Sequence, residues 1–112
     1  MTKSSSTNKQ KGESHMLVKI WLDDIRKAPD NYIHVRSVNN AKLIINQFIE
    51  RGYEMELDLD HDLGDYAYDG GDAICLVRWL AENEIYPTIK LHTMNPVGRE
   101  NMQAIIDRYW PR

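Results

Sequence analysis

The run MLVKIWL at residues 16–22 is almost continuously apolar and then stops at two adjacent aspartates. A run of this kind is the profile of a parallel strand buried inside an α/β sheet, because a half-exposed strand alternates instead. Strand and helix patterns then alternate along the rest of the chain. YIHVRSV (32–38) reads as a second, weaker strand. AKLIINQFIERG (41–52) spaces Ala41, Ile44, Ile45, Phe48 and Ile49 along one helical face, with Asn40 as the expected N-cap and Gly52 as the stop. YEMELDL (53–59) alternates strictly and reads as a strand, after which Gly71 or Asp72 opens the helix AICLVRWLAENE. PTIKLH (87–92) is the last strand. Asn95 and Pro96 then start a closing helix striped by Met102, Ile105, Ile106 and Tyr109 before Pro111. The order β, β, α, β, α, β, α predicts an α/β fold with a mostly parallel four-stranded sheet, about three helices and right-handed crossovers.

One sheet face reads as thinly covered. Glu54, Glu56 and Asp58 share one face of their strand, and Thr88, Lys90 and His92 share one face of theirs. Strands packed under helices on both sides do not alternate so cleanly. The loop over 23–31, the N-terminal leader or a partner chain is expected to cover that face, and a homo-oligomer is one way of doing so.

Composition sets the remaining limits. A chain of 112 residues with 42% hydrophobic content has room for one core, so residues 16–112 are expected to form a single domain. Residues 1–15, MTKSSSTNKQKGESH, offer almost nothing to bury and read as a disordered leader. Cys75 is the sole cysteine, which excludes a disulfide scaffold and makes cytoplasm the expected location. No stretch of about 18 apolar residues occurs, so no membrane span is expected. Setting aside Lys3, Lys9, Lys11 and Glu13 leaves 11 basic and 16 acidic residues, a net charge of −5. That balance argues against an extended double-stranded nucleic-acid footprint, which needs clustered positive charge.

Ligands of parallel α/β sheets bind beyond the carboxyl ends of the strands. Here those ends carry Asp23-Asp24, Asp60-His61-Asp62 and His92-Thr93, so separate strands deliver acids, imidazoles and a hydroxyl to one edge. Crowded carboxylates either raise a pKa or demand a cation. An oxygen-rich, thiol-free donor set selects a hard ion, Mg²⁺ above all, with Mn²⁺ as the substitute. Asp23, Asp24, Asp60 and Asp62 are therefore the candidate metal ligands.

Taken together, "WLDDIRKAP", "LDLDHDLGD" and "LHTMNPVGRENM" resemble the cyclic-phosphate-processing receiver domains, relatives of response-regulator receivers. The resemblance implies a short receiver-like, flavodoxin-like sheet and a role in handling phosphorylated or 2′,3′-cyclic ends of nucleotides or RNA during processing or repair. Asp23 and Asp24 match the metal-binding acid pair. Asp60 matches the strand-end aspartate that receives phosphate in receivers, with Asp62 as its rival on the spacing to Gly70, and Thr93 matches the hydroxyl that contacts a phosphoryl oxygen. The departures are the absent fifth strand with its lysine and the additional His61, His92 and Asn95-Pro96.

These residues sketch a Mg²⁺-dependent phosphoesterase. Phosphate oxygens are expected to meet Arg26 or Arg99 and the start of the last helix at Asn95 and Gly98. Opening a cyclic phosphate needs a base for water and an acid for the ribose oxygen, the roles open to His61 and His92. Asp60 attacking directly is the covalent variant. Plainer duties stand beside these: His61 can orient a carboxylate, Asp23 can cap a turn, and Asp65, Asp69 and Asp72 suit turns and caps. Two other classes of function remain open, a degenerate phospho-signalling receiver and a non-enzymatic binder of nucleotides or protein.

Overall fold

The computed structural model describes residues 16–112, and the leader expected over 1–15 lies outside the described residues. The elements are β1 (Leu17–Leu22), β2 (Tyr32–Val35), α1 (Val38–Glu50), β3 (Glu54–Leu59), a 3₁₀ turn (Gly64–Tyr68), α2 (Ala73–Glu82), β4 (Thr88–Leu91) and α3 (Pro96–Tyr109). The four strands form one sheet in the order β2-β1-β3-β4, with every neighbouring pair parallel. This is the short receiver-like α/β fold, and among the described residues no strand follows α3. Nor is any described helix long and apolar enough to cross a membrane.

A single core explains the arrangement. Ile20, Leu22, Val35, Leu57 and Leu59 point to one sheet face and pack with Val38 and Ile45 of α1, Leu76, Val77 and Leu80 of α2, and Met102 of α3. All three helices therefore cover the same face. The opposite face carries Lys19, Trp21, Tyr32, His34, Glu56, Asp58 and Lys90, none of them fully buried. They close over one another instead. Lys19 lies 5.6 Å above the Tyr32 ring, the Tyr32 hydroxyl donates to Glu56 at 3.2 Å, and Lys90 pairs with Glu56 at 3.2 Å. The apolar run of β1 is thus buried on one side only, and Trp21 serves the open side.

Parallel neighbours ordinarily need a helix between them, yet residues 23–31 connect β1 to β2 without one. The connection stays short because β2 is only four residues long. The Trp21 indole N–H donates to the Arg26 carbonyl at 3.0 Å and anchors that loop.

Two boundaries differ from the sequence expectation. The second strand ends at Val35, and α1 begins at Val38 with Ser37, not Asn40, as its N-cap. The Ser37 hydroxyl accepts from the Asn40 N–H at 3.2 Å, and this earlier start buries Val38 completely. Asp72 does precede α2, but its carboxylate accepts from the Leu63 N–H at 3.0 Å instead of capping the helix. Ser37 also donates to Asp69 at 2.7 Å, tying α1 to the segment after the 3₁₀ turn. Ser37→Ala removes both bonds and is expected to cost about 1–2 kcal/mol, read as a lower urea midpoint at unchanged m-value.

Candidate functional site

The strand register builds the site. Leu22 stands opposite both Val35 and Leu59, and Leu59 opposite Leu91. The ladder runs one step past these residues, as the N–H groups of Asp23, Asp60 and His92 donate to the carbonyls of Val35, Leu22 and Leu59. Asp23, Asp60 and His92 consequently leave the sheet at the same level on adjacent strands. Asp24 follows on the first loop. Asp23, Asp24 and Asp60 each offer a carboxylate oxygen, and these oxygens lie within 4.8 Å of one another.

The three acids differ in environment. Asp23 is 1% exposed. One of its oxygens accepts from the N–H groups of Ile25 and Arg26 at 2.9 and 2.8 Å, which shapes the loop, and the other meets His92 Nε2 at 2.9 Å. Burial works to raise this carboxyl, but the two backbone N–H groups and His92 outweigh it and hold it below the usual range. Asp24 is pushed up, by burial first and then by the negative charges of Asp23, Asp60 and Asp62. Asp60 accepts from the His61 N–H at 2.8 Å through one oxygen. An all-oxygen set carrying unrelieved like charge suits a hard divalent cation better than a soft one.

Asp62 lies outside this group. Its carboxylate meets His61 Nδ1 at 2.7 Å and accepts from the Asn95 amide at 3.1 Å, and its side chain is 63% exposed. The His61 bond, ahead of the opposing effect of burial, lowers its carboxyl. His61, Asp62 and Asp72 gather separately from the first three acids.

His92 sits between two carboxylates. Nδ1 meets Asp58 at 2.7 Å and Nε2 meets Asp23 at 2.9 Å, while the ring stacks on Trp21 at 3.8 Å between centroids, with planes 6° apart. Each ring nitrogen thus faces a carboxylate oxygen, and the ring bridges Asp58 and Asp23. That geometry makes His92 a partner of Asp23 and not a group directed at a ligand. His34 has a structural duty: its Nε2 lies 2.8 Å from the Asp23 carbonyl.

Arg26, Asp60, Asp62, Thr93 and Asn95 line one open cleft of about 470 Å³. Two groups expected to bind phosphate are otherwise engaged. The Gly98 N–H donates to the Asn95 side chain at 3.0 Å, the N-cap of α3, and Arg99 donates to the Thr93 carbonyl at 3.0 Å. Thr93 is buried, and its hydroxyl accepts from the Asn95 N–H at 3.1 Å. Arg26 reaches the His92 carbonyl at 3.2 Å from an exposed position. Asp58 and Trp21, which hold His92, are not among the site residues expected from the sequence. Their signal is the unneutralised acid in the alternation of β3, on the face that His92 shares.

A family model described as the cyclic-phosphate processing receiver domain matches residues 18–108, a span that contains every residue of this site. The chain belongs to that family. No curated protein and no solved structure matches it. In this receiver domain, then, Asp23, Asp24 and Asp60 stand together at the carboxyl edge of the sheet, with His92 bonded to Asp23.

The His61 ring of the domain packs against the first turn of α3. A Cβ on Gly98 would fall 2.5 Å from His61 Cγ, so no larger residue fits without moving the ring. Gly98→Ala is expected to destabilise the domain by about 1–3 kcal/mol through overpacking. His61→Ala in the same chain should recover most of that loss, measured as a coupling energy in a double-mutant cycle.

Proposed function

We propose that this receiver domain is a divalent-metal-dependent phosphoesterase acting on phosphate ends of nucleotides or RNA, with 2′,3′-cyclic phosphates as its substrates. The observation that carries the reading is the convergence of Asp23, Asp24 and Asp60 beside a cleft that Arg26, Thr93 and Asn95 also line. Those three acids would hold Mg²⁺ or Mn²⁺, and the ion supplies charge neutralisation at the phosphate when bound.

The chain's own groups divide the remaining work. Arg26 binds phosphoryl oxygens through its guanidinium donors, and Asn95 and Thr93 border the same oxygens from the start of α3. His61, oriented through Nδ1 by Asp62, moves the proton that the ring opening requires. Water adds to phosphorus, the bond to one ribose oxygen breaks, and that oxygen takes the proton. The Ile25 and Arg26 N–H groups, with His92, keep Asp23 ionised and in place.

A panel of 2′,3′-cyclic mononucleotides with Mg²⁺ or Mn²⁺ in ¹⁸O water tests the reading. Turnover with label confined to the phosphate is the expected result. Water opens an aspartyl-phosphate at phosphorus too, so the label does not separate the routes; Asp60 trapped by borohydride reduction during turnover indicates the covalent one. Absence of turnover, with labelling by a small phosphodonor such as acetyl phosphate, replaces the enzyme by a signalling receiver.

A further inference from the structure

We propose that a second cleft, between the end of β2, the first turn of α1 and the 3₁₀ turn, takes the nucleobase of the substrate whose phosphate lies at the three acids. It deepens the phosphoesterase reading and rests on it for the place of the phosphate. This cleft is open, with a volume of about 440 Å³, and His34, Arg36, Asn39, Tyr66 and Tyr68 are among its lining residues. Pockets of roughly 300–1,000 Å³ are the usual size for small ligands.

Its aromatic residues are exposed and do not fill the core. Tyr68 is 85% exposed and Tyr66 37%, and no residue of the 3₁₀ turn is buried. Yet the turn is fastened. Tyr66 N–H donates to Leu63 at 2.9 Å, Gly71 N–H to Ala67 at 2.8 Å, and Asp69 receives both Ser37 and the Asn39 amide. Two exposed rings on a fastened turn make a stacking platform, which accepts any base because every base has a π face.

The platform also adjoins the acids. Arg36 donates through Nη1 to the Asp24 carbonyl at 2.9 Å, and a Cβ on Gly64, the first residue of the turn, would fall 2.5 Å from Asp24 Oδ2. β2 is the immediate neighbour of β1, so the cleft flanks the acid pair on the side away from Asp60, with Asp24 as the residue that both share. The ribose of a nucleotide whose phosphate reaches Asp24 would lead from the acids into this cleft. The remaining guanidinium donors of Arg36, with Asn39, supply polar contacts to the base edge.

The comparison of 2′,3′-cyclic UMP and AMP with methyl riboside 2′,3′-cyclic phosphate, which has no base, tests this on the full chain. The wild type is expected to prefer the nucleotides in kcat/KM. Tyr68→Ala should lower that preference about tenfold, as loss of one stacking partner does, and Tyr68→Phe should retain it. A preference unchanged in Tyr68→Ala overturns the base subsite while leaving the phosphoesterase standing. If none of the three compounds is hydrolysed, the phosphoesterase reading fails, and uridine and adenosine titrations decide the subsite alone. Shifted ring resonances of Tyr66 and Tyr68 support it, and unshifted ones overturn it.

Discussion

Asp60→Asn is expected to lower turnover of 2′,3′-cyclic nucleotides by at least about 100-fold, the scale on which removing one preorganised electrostatic group acts. The substitution keeps the shape of the side chain and the oxygen that accepts from the His61 N–H, so the loop geometry should survive. What it removes is one of three charges on the set that would hold the cation. The same change relieves repulsion on Asp24, whose carboxyl is raised in part by Asp60. The metal-free variant should therefore be at least as stable as the wild type in urea. A thermal shift with Mg²⁺ supplies a readout independent of activity, since a ligand that binds only the native state stabilises it by mass action. Wild type should gain stability with Mg²⁺ and Asp60→Asn should gain far less. Equal shifts and equal turnover in the two proteins would remove Asp60 from the site.

Backbone geometry explains why the strand ends are legible in the sequence while the membership of the acid set is not. In a parallel sheet every strand runs the same way, so residues that end strands must collect on one edge. Asp23, Asp60 and His92 are readable for that reason. Which of them stand at one level depends on register, and register here is set by the pairing of Leu22 with Leu59 and of Leu59 with Leu91. Asp62 shows where the period-two argument stops. Had β3 continued, Asp60 and Asp62 would share a face, but the strand ends at Leu59 and the Asp60 carboxylate turns back onto the His61 N–H. Asp62 then turns to meet Asn95.

Cap chemistry leaves a similar ambiguity at α1. Ser37 and Asn40 both suit an N-cap, and the burial of Val38 decides between them. The 3₁₀ turn has no apolar period to reveal it, because Gly64, Asp65 and Tyr68 are exposed and none of its residues is buried. The open sheet face, by contrast, is written into the alternation of Glu54, Glu56 and Asp58, since a face without helices accepts charge.

His92→Ala is expected to be the most damaging single substitution outside the apolar core. It leaves Asp23, 1% exposed, without its ring partner, strips the same partner from Asp58, and uncovers the face of Trp21. Breaking a largely buried pair by deleting one member costs about 3 kcal/mol or more, because the other charge stays behind. For a domain of this size that is a fall in Tm of roughly 15 °C. His92→Phe separates the two contributions. It keeps a flat ring over Trp21 but donates nothing, so it should lose almost as much as alanine if the carboxylates dominate. The pH dependence carries a definite sign. Asp23 is held below the usual carboxylate range, so its contribution is present above the unfolded value of about 3.9 and is lost as pH falls through the folded value. Asp24, pushed up, runs the other way: its carboxyl favours the fold most at acid pH, and that share is lost as pH rises through its folded value. The difference between wild type and His92→Ala should therefore be large at neutral pH and shrink in acid, as Asp23 takes up a proton and its carboxylate no longer needs the ring nitrogen. Urea unfolding at pH 7 and pH 3 measures both differences, and a gap of the same size at the two pH values would show that the ring stabilises the fold by packing on Trp21 and not by pairing with Asp23.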